Sequence, residues 1–270
     1  MLPIALDVPA VELAARLGVP VAPYGPCGVA PGTQDITYRL NTKSGSRALA
    51  ADLDIRVPLG LCCEGGELGT MVAAMLVGHE RLVVKANRAA GGYRLCRVTR
   101  ADPGPHPQSG QWVVEQYLGV VRSVSVQGEV LESGPRLAFS GGMRTADAAC
   151  TGYDSPLTAC PDGVGKDLDR WASVLGRHLA AHGYRGTFGI DAVMDSQCRL
   201  LATESNVRRT ATTTPHAMVD RLRRTAGLVL YREPAHDERS IPYAVLAPDP
   251  RRAAELEARL RDVMQSDARP

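Results

Sequence analysis

Three oxygen-bearing side chains, Asp191, Glu204 and Asn206, stand within one segment of the chain, residues 187–208. β-prone residues on both sides of a polar Asp-Ser-Gln triplet predict two strands joined by a tight turn. Two carboxylates and an amide oxygen on a rigid hairpin suit a hard cation such as Mg²⁺, which takes its remaining ligands from water and nucleotide phosphate. A solvated hairpin with ordinary surface carboxylates is the competing interpretation.

The expected register brings these side chains to one face of the hairpin. With Ser196 and Gln197 as a two-residue loop, Asp191 would lie opposite Ala202. Side chains alternate between faces along a strand. The residues expected to share one face are therefore Asp191, Ala202, Glu204 and Asn206.

A second stretch combines a lysine with a pair of glycines. The apolar run Leu82–Val84 ends at Lys85, and Gly91 and Gly92 follow in a predicted loop before the next strand. Loop glycines let backbone N–H groups approach phosphate oxygens, and a lysine at a strand end supplies a point charge. An ordinary hairpin loop beside an exposed lysine fits the same pattern.

Composition narrows the class of protein. The chain has 270 residues, a net charge of +2 and only 4% aromatic residues, too few for the stacking platforms that bind single-stranded nucleic acid. No apolar run is long enough to span a membrane, and the amino terminus lacks the pattern of a secretory signal. We therefore expect a cytoplasmic protein with neither nucleic acid nor membrane as a partner.

Other patterns predict ordinary structure. The seven cysteines are dispersed without a C-x-x-C motif and are expected to be reduced and mostly structural. The segment around Lys166 resembles a P-loop, but Cys160 and Asp167 replace its first glycine and its Ser/Thr, so a helix start is predicted. His178 and His182 have no acidic residue between them and are predicted to be a solvated or capping pair.

The elements that would position the candidate residues mix helices and strands, which predicts an α+β fold. Helical patterns fall at Pro9–Gly18, within Gln34–Gly60, and at Glu67–Val77, 166–182, Met218–Leu230 and Pro250–Met264. Strand patterns outside the hairpin fall at 82–85, around 95, and at 112–118, 122–132 and 241–246. The stretch 140–165 is predicted to be a long functional or mobile loop, and a polar loop is predicted around Pro215.

Taken in chain order, these features resemble the ATP-grasp superfamily, whose ligases hold ATP between two α+β lobes. The resemblance covers about residues 35–230, and its most specific part is ESNVR at 204–208 preceded by FGID at 188–191. The runs LVVKANRAAGG and VVEQYL support it in the right order. A narrower resemblance is to peptide ligases of the pheganomycin type.

The resemblance implies a division of the chain. An amino-terminal helix and linker, forming a short strap, would occupy residues 1–32, and a first lobe would occupy 33–110. A second lobe with the metal-binding hairpin would occupy 111–230, and a small strand-helix tail 231–270.

The resemblance also implies roles for the basic and glycine residues. Lys43 and Lys85 would neutralise the α- and β-phosphates of ATP. The loop with Gly91 and Gly92 would close over the triphosphate. Arg208 would steady the transferring phosphoryl group or the substrate carboxylate.

The remaining implied roles concern adenine and metal. The hinge that reads adenine through backbone groups would be Glu115, Gln116, Tyr117 and Leu118, with Glu115 or a nearby acid available to the ribose. One or two Mg²⁺ ions, or Mn²⁺, would be held by Asp191, Glu204 and Asn206.

The implied activity is that of an ADP-forming carboxylate–amine ligase, which joins a small-molecule or peptide carboxylate to an amine through an acyl phosphate. Phosphoryl transfer requires mainly positioning and charge neutralisation, and the chain carries no G-x-S-x-G nucleophile motif. Two alternatives are an ATP-binding, non-catalytic or partner-dependent subunit, and a small-molecule kinase of the same fold.

Two departures from the family pattern bear on the substrate. ATP-grasp ligases carry a further α/β domain before the grasp, whereas residues 1–32 alone precede it here. A second copy, a partner chain or the 140–165 loop would then supply the acceptor surface, or the chain would be a shortened relative with altered activity. Gly189 stands where the D-alanine ligase branch often has an arginine, so that branch's specificity is not implied.

The pattern assigns no role to Arg209 or His216.

Overall fold

A computed structural model of the chain describes residues 1–26, 28–30, 32–89, 95–104, 109–146, 149–157, 160–161, 163–226, 230–234 and 245–267. The helices in the described residues are α1 Val8–Leu17, α2 Thr33–Leu40, α3 Lys43–Asp52, α4 Leu68–Met75, α5 Val164–Ala181, α6 Thr213–Ala226 and α7 Pro250–Asp267. The strands are β1 Gly60–Glu64, β2 Leu82–Ala86, β3 Leu95–Val98, β4 Gln111–Gln116, β5 Val120–Leu131, β6 Gly134–Ala146, β7 Ala149–Ser155, β8 Gly186–Asp195, β9 Leu200–Asn206, β10 Leu230–Pro234 and β11 Val245–Ala247.

The strands form two antiparallel sheets. The smaller sheet has the order β1-β4-β2-β3, and the larger has the order β11-β10-β7-β6-β5-β8-β9. Together with the helices they give the predicted α+β fold. The proposed domain boundaries stay a prediction, although β4 pairs within the smaller sheet.

The main core lies on one face of the larger sheet. Apolar residues of β5, β8 and β9 meet α5, α2 and α3 there, and the fully buried side chains include Trp171, Leu168 and Leu40. Phe188 fits into this layer because Gly128 and Gly176 leave room for it: a Cβ atom at either glycine would lie within 3 Å of the ring. The opposite face of these strands carries Ser125, Gln127, Asp191, Glu204 and Asn206.

The smaller sheet has its own core. Its residues Leu82, Val84 and Val114 pack with Leu68 and Val72 of α4. The alternation along β2 and β4 then turns Lys85 and Glu115 to the other face, away from this core.

Most predicted helices are confirmed with small shifts at their ends. Asp7 caps α1 by accepting a hydrogen bond from Ala10 N, and Gly18 ends the helix in the left-handed region. The single helix drawn within Gln34–Gly60 is wrong, because the chain breaks at Asn41. The Thr42 hydroxyl there accepts from Gly45 N and starts a new helix, α3.

The predicted loop at 140–165 is also wrong over much of its length. Residues 134–146 and 149–155 are the paired strands β6 and β7. The glycines that suggested a loop allow close packing instead, since a Cβ atom at Gly141 would lie 2.5 Å from the Tyr153 ring. Similarly, Pro215 lies in the first turn of α6, where a proline costs no helix hydrogen bond.

The predictions for the described cysteines and for the start of α5 are confirmed. Cys62, Cys63, Cys96, Cys160 and Cys198 are free thiols. The P-loop-like segment is the start of α5, as predicted, and His182 is the C-cap residue of that helix. In the described part of the chain no helix is long and apolar enough to cross a membrane. The cytoplasmic location stays a prediction.

Candidate functional site

The polar face of the larger sheet carries two rows of side chains that cross β5, β8 and β9. In one row Ser125 pairs with Asp191, which pairs with Glu204. In the next row Gln127 pairs with Gly189, which pairs with Asn206. Directly opposite residues share a face. The two predicted carboxylates and the predicted amide therefore lie together, as the sequence indicated.

The register that achieves this differs from the predicted one. Asp191 lies opposite Glu204, not Ala202, because a bulge places Thr203 between the pairs Asp191–Glu204 and Ala192–Ala202. Ala202 consequently points into the hydrophobic core and does not share the face of Glu204. The Thr203 hydroxyl donates to the Asp191 carbonyl, 3.1 Å away, and holds the bulge.

The turn of the hairpin is also wider than two residues. Met194 pairs with Leu200, and the Asp195 carboxylate accepts hydrogen bonds from Gln197 N and Arg199 N, both 2.9 Å away. An aspartate that accepts from backbone groups two and four residues ahead stabilises a wide turn. Cys198, at φ 59°, completes it.

Hydrogen bonds connect the segment before α3 to this hairpin. Asn41, between α2 and α3, accepts from Val207 N at 2.9 Å and donates to Val207 O at 3.1 Å. The Ser205 hydroxyl donates to Leu40 O at 2.6 Å. Lys43, two residues after Asn41, is thereby placed with its Nζ atom 3.4 Å from Glu204 Oε2.

A chain of hydrogen bonds runs along the hairpin face to the predicted arginine. Asn206 Nδ2 donates to Asp191 Oδ2 at 2.9 Å, and Arg208 Nη2 donates to Asn206 Oδ1 at 2.8 Å. The residues brought into one connected cluster are thus Lys43, Asp191, Glu204, Asn206 and Arg208.

The electrostatic environment of Asp191 is unusual. Burial, together with the adjacent Glu204 carboxylate, raises the pKa of Asp191 to about 7, although hydrogen bonds with Ser125 and Asn206 lower it. Two carboxylates this close repel each other when both are ionised. A positive charge placed between them would remove that repulsion.

The donor set suits a hard cation. Asp191 and Glu204 offer carboxylate oxygens and Asn206 an amide oxygen, which are the ligand types Mg²⁺ prefers. In the described residues no group of three or more His, Cys, Asp or Glu side chains could hold a metal. Because Mg²⁺ takes about six oxygen ligands, a cation bound by these three groups would also need water or phosphate oxygens.

The second predicted lysine belongs to a separate cluster on the smaller sheet. Lys85 Nζ lies 2.6 Å from Glu115 Oε2, and Arg47 Nη1 lies 3.0 Å from Glu115 Oε1. All three side chains are largely buried. Arg47 also donates to the carbonyls of Pro58 and Gly60, which ties α3 to this sheet. Among the described residues, Lys85 forms its ion pair with Glu115 and not with the hairpin carboxylates.

Two residues of the predicted hinge lie within a strand. Glu115 and Gln116 are in β4, where β2 pairs with both residues and β1 pairs with Glu115. Tyr117 and Leu118 do leave the strand and lead into β5, and Tyr117 N donates to Arg81 O at 3.1 Å. Gly91 and Gly92 lie outside the described residues, so their predicted role is untested.

Sequence reasoning missed several polar residues that organise this region. Gln127 is buried and donates to the hydroxyls of Thr210 and Thr212, both at 2.6 Å, so it fixes the segment that follows Arg208. A Cβ atom at Gly189 would lie 3.3 Å from Gln127 Cγ, so the amide side chain covers the position where an arginine was considered.

One of the missed residues, Arg47 of the Glu115 cluster, could have been found from the sequence. Arg47 stands four residues after Lys43, a spacing that places both on one side of a helix. Ser125 and Gln127 gave none, because their contacts depend on a strand pairing that spans more than sixty positions of the chain.

The two residues without an assigned role lie beside the same segment. Arg209 Nη2 donates to the Thr214 hydroxyl at 2.7 Å, and Arg209 N donates to Ile4 O at 2.8 Å. The His216 ring stacks on Phe139 with centroids 3.7 Å apart.

A scan against protein-family models and a search of curated proteins found no match for the sequence. Solved structures do match. D-alanyl-alanine synthetase A from Vibrio cholerae is 16% identical with a TM-score of 0.58, over 81% of this chain and 71% of that one. A carboxyaminoimidazole ribonucleotide synthase from Aspergillus clavatus, complexed with ATP, is 14% identical with a TM-score of 0.62, over 96% and 79%. An ADP complex of an N5-carboxyaminoimidazole ribonucleotide synthetase is 11% identical with a TM-score of 0.67, over 95% and 77%.

At these identities the likeness concerns the fold. The similar structures cover between 81% and 96% of this chain. The chain therefore has the α+β ATP-grasp fold.

Proposed function

We propose that this protein is an ATP- and Mg²⁺-dependent carboxylate–amine ligase that forms ADP. The observation that carries the proposal is the cluster in which Lys43, the Asp191–Glu204 pair and the Asn206–Arg208 pair converge on an ATP-grasp fold. It combines two cationic side chains with oxygen donors for a cation, the inventory that phosphoryl transfer needs.

ATP is the proposed nucleotide. Two of the similar structures are described as complexes with ATP and with ADP. In this chain Lys43 and Lys85 would neutralise the phosphates, and the segment 115–118 would contact adenine. The buried Lys85–Glu115 pair supports this placement, because Glu115 holds the ammonium group of Lys85 in a fixed position.

Magnesium is the proposed metal, with manganese as a substitute. Asp191, Glu204 and Asn206 would hold it, and it would neutralise charge on the phosphates during transfer. The raised pKa of Asp191 supports the assignment. A bound cation would remove the electrostatic repulsion between the Asp191 and Glu204 carboxylates. Lys43, which now neutralises Glu204, would become available to a phosphate.

The proposed reaction has two steps. A substrate carboxylate attacks the γ-phosphorus of ATP, so that a P–O bond to the carboxylate forms and the bond to ADP breaks. An amine then attacks the acyl carbon and expels inorganic phosphate, and it loses a proton as the amide forms. Arg208 would contribute a fixed positive charge near the transferring group or the carboxylate.

The narrower proposal is that both substrates are amino acids or peptides and that the amide is a peptide bond made in a biosynthetic pathway. It rests on the resemblance of the carboxy-terminal half and tail of the chain to peptide ligases of the pheganomycin type. A second copy or a partner chain would complete the acceptor surface.

The test uses the purified full chain with ATP, Mg²⁺ and pairs of amino acids or dipeptides. Phosphate release is measured, and the amide product is identified by mass spectrometry. The expected result is phosphate release only when both acid and amine are present. Glu204→Gln should lower turnover by about 100-fold or more with the fold retained. Glu129→Gln, at an exposed ion pair of the same sheet, is the matched control and should act as wild type.

The outcomes separate the alternatives. Normal turnover of Glu204→Gln would refute the metal assignment. A phosphorylated acid that accumulates without amide would indicate a kinase. ATP binding without turnover for any pair, combined with a larger complex in size measurements, would indicate a subunit that acts only with a partner.

A further inference from the structure

An open cleft lies between the α2–α3 junction and the end of the smaller sheet. It encloses about 680 Å³, which is within the usual range for small-molecule sites. Its described lining residues are Tyr38, Arg39, Thr42, Ser44, Gly45, Ala48, Ala86, Asn87, Arg88, Ser109, Gly110, Gln111 and Trp112.

The charged residues that line the cleft are basic. None of its described lining residues is acidic, whereas Arg39 and Arg88 are both basic. In the described part of the chain neither guanidinium forms an ion pair with a carboxylate. Arginines left without a carboxylate partner beside a cleft are the groups that bind carboxylates and phosphates with two parallel hydrogen bonds.

Arg88 is restrained by a neighbouring ring, and Arg39 lies next to the start of α3. The Arg88 guanidinium carbon lies 4.1 Å from the centre of the Tyr38 ring, a cation–π contact that restricts it. Arg39 passes over Gly45: a Cβ atom there would lie 2.8 Å from Arg39 Cγ and 2.2 Å from Arg39 O. The contact with Tyr38 reduces the conformational entropy that the Arg88 side chain loses when a ligand binds.

The floor of the cleft adds neutral polar groups beside apolar surface. Asn87 Nδ2 donates to Gln111 Oε1 at 2.8 Å, and Trp112 Nε1 donates to Ser109 O at 3.3 Å. Gln111 in turn donates to Glu64, a carboxylate outside the lining. Ala48 and Ala86 leave space for the body of a ligand. This combination suits an organic molecule better than a bare inorganic ion.

We propose that this cleft is a binding site for a metabolite-sized organic anion with a carboxylate or phosphate group held by Arg39 and Arg88. The site is distinct from the candidate hairpin site, since no residue is shared. The two are linked through the first turn of α3, where Asn87 accepts hydrogen bonds from Lys43 N and Ser44 N. The proposal goes beyond the ligase assignment and does not depend on it.

Binding to the full chain is measured by calorimetry at constant ionic strength, without ATP or Mg²⁺. The probes are citrate, the dipeptide L-glutamyl-L-glutamate and glycerol 3-phosphate, which separate carboxylate from phosphate ligands. We expect at least one to bind with a defined stoichiometry of one. The double variant Arg39→Gln/Arg88→Gln should weaken that binding by about tenfold or more.

Two further variants keep the test specific. Ala48→Phe fills the cleft without changing its charge and should also weaken binding. Arg221→Gln/Arg251→Gln removes two exposed arginines elsewhere and should bind within about twofold of wild type. Circular dichroism and urea denaturation check that each variant folds, so failure of the ligase assignment would leave this test intact.

Three results would refute the proposal. They are that no probe binds, that the arginine and cleft-filling variants bind as wild type does, or that the control double variant weakens binding equally. The last result would mean attraction to overall positive charge and not to the cleft.

Discussion

At the scale of single residues, one carboxylate holds two cationic side chains in place. Glu115 lies between Lys85 and Arg47, and all three side chains are at most 15% exposed. Charges that are removed from water are stable only when they are paired. The position of Lys85, and with it the proposed phosphate contact, therefore depends on Glu115.

Glu115→Gln leaves Lys85 and Arg47 with excess positive charge in a buried setting. We expect the free energy of unfolding at neutral pH to fall by about 3 kcal/mol. Urea denaturation measures this loss. Glu129→Gln breaks an exposed pair with Arg136 and should cost under about 1 kcal/mol. Equal losses in the two variants would contradict the structural role of Glu115.

At the scale of elements, the β8–β9 turn depends on the Asp195 carboxylate. Burial raises the pKa of Asp195, but hydrogen bonds from Arg199 and from Gln197 N outweigh it, so the pKa lies below its ordinary value. A carboxyl group with a depressed pKa in the folded state stabilises the fold above the ordinary pKa. It loses this contribution as the pH falls through the lower, folded-state pKa.

Asp195→Ala should therefore lower the free energy of unfolding by about 1–3 kcal/mol at pH 7. The difference from wild type should shrink at acidic pH, once the wild-type carboxyl group is protonated. Denaturation curves at pH 7 and at about pH 3 test both statements. Asp54→Asn, at a 93% exposed side chain, is the control and should change little at either pH. A difference that stays constant with pH would refute the ionic part of this account.

The α2–α3 junction is a second element whose geometry depends on one residue. A Cβ atom at Gly45 would lie 2.2 Å from Arg39 O, a distance at which the backbone must move. Gly45→Ala should destabilise the protein by about 1–3 kcal/mol despite the higher helix propensity of alanine. Gly66→Ala, where the added atom meets nothing within 4 Å, is the matched control. Thermal unfolding compares the two variants. If Gly45→Ala were as stable as Gly66→Ala, the close approach of Arg39 O to Gly45 would be refuted.

At the scale of the whole molecule, buried charges attach the last helix to the larger sheet. Glu257 of α7 is 3% exposed, and its Oε1 atom accepts from Arg144 of β6 at 2.9 Å and from Arg261 at 2.6 Å. Among the described residues, the apolar cluster beneath α7 consists of Val245, Ala247 and Ala253, with Leu256 packed against it. We expect the ionic contacts of Glu257 to add substantially to the docking of α7.

Glu257→Gln should let α7 open locally without unfolding the rest of the chain. Amide hydrogen exchange in α7 is expected to speed up by about tenfold or more, with α5 unchanged. Glu255→Gln, at an exposed pair on the same helix, is the control. Faster exchange throughout the molecule would show that α7 is not a separate unit of stability.

Local signals predicted much of this fold, and long-range pairing accounts for what they missed. Asp7 and Gly18 bounded α1 correctly because capping is a property of neighbouring residues. Residues 140–155 were predicted to lie in a loop, since glycines such as Gly141 gain their packing role only when Tyr153 lies against them. The face shared by Asp191, Glu204 and Asn206 was predicted, whereas the bulge that produces it was not. Nothing in the local sequence marked Thr203 as the unpaired residue.

The bulge at Thr203 also determines where this hairpin can change in length. The exposed tip from Ser196 to Arg199 can gain or lose residues without altering which side of the sheet later residues occupy, provided that the strands pair as before. Deleting Thr203 would remove the bulge and leave Ala202 opposite Ala192 and Glu204 opposite Asp191. Deleting Ser205 would instead reverse the alternation of β9 after Glu204, and Asn206 would then face the hydrophobic layer and not Asp191. Changes in length among natural variants should accordingly be confined to the tip and the bulge.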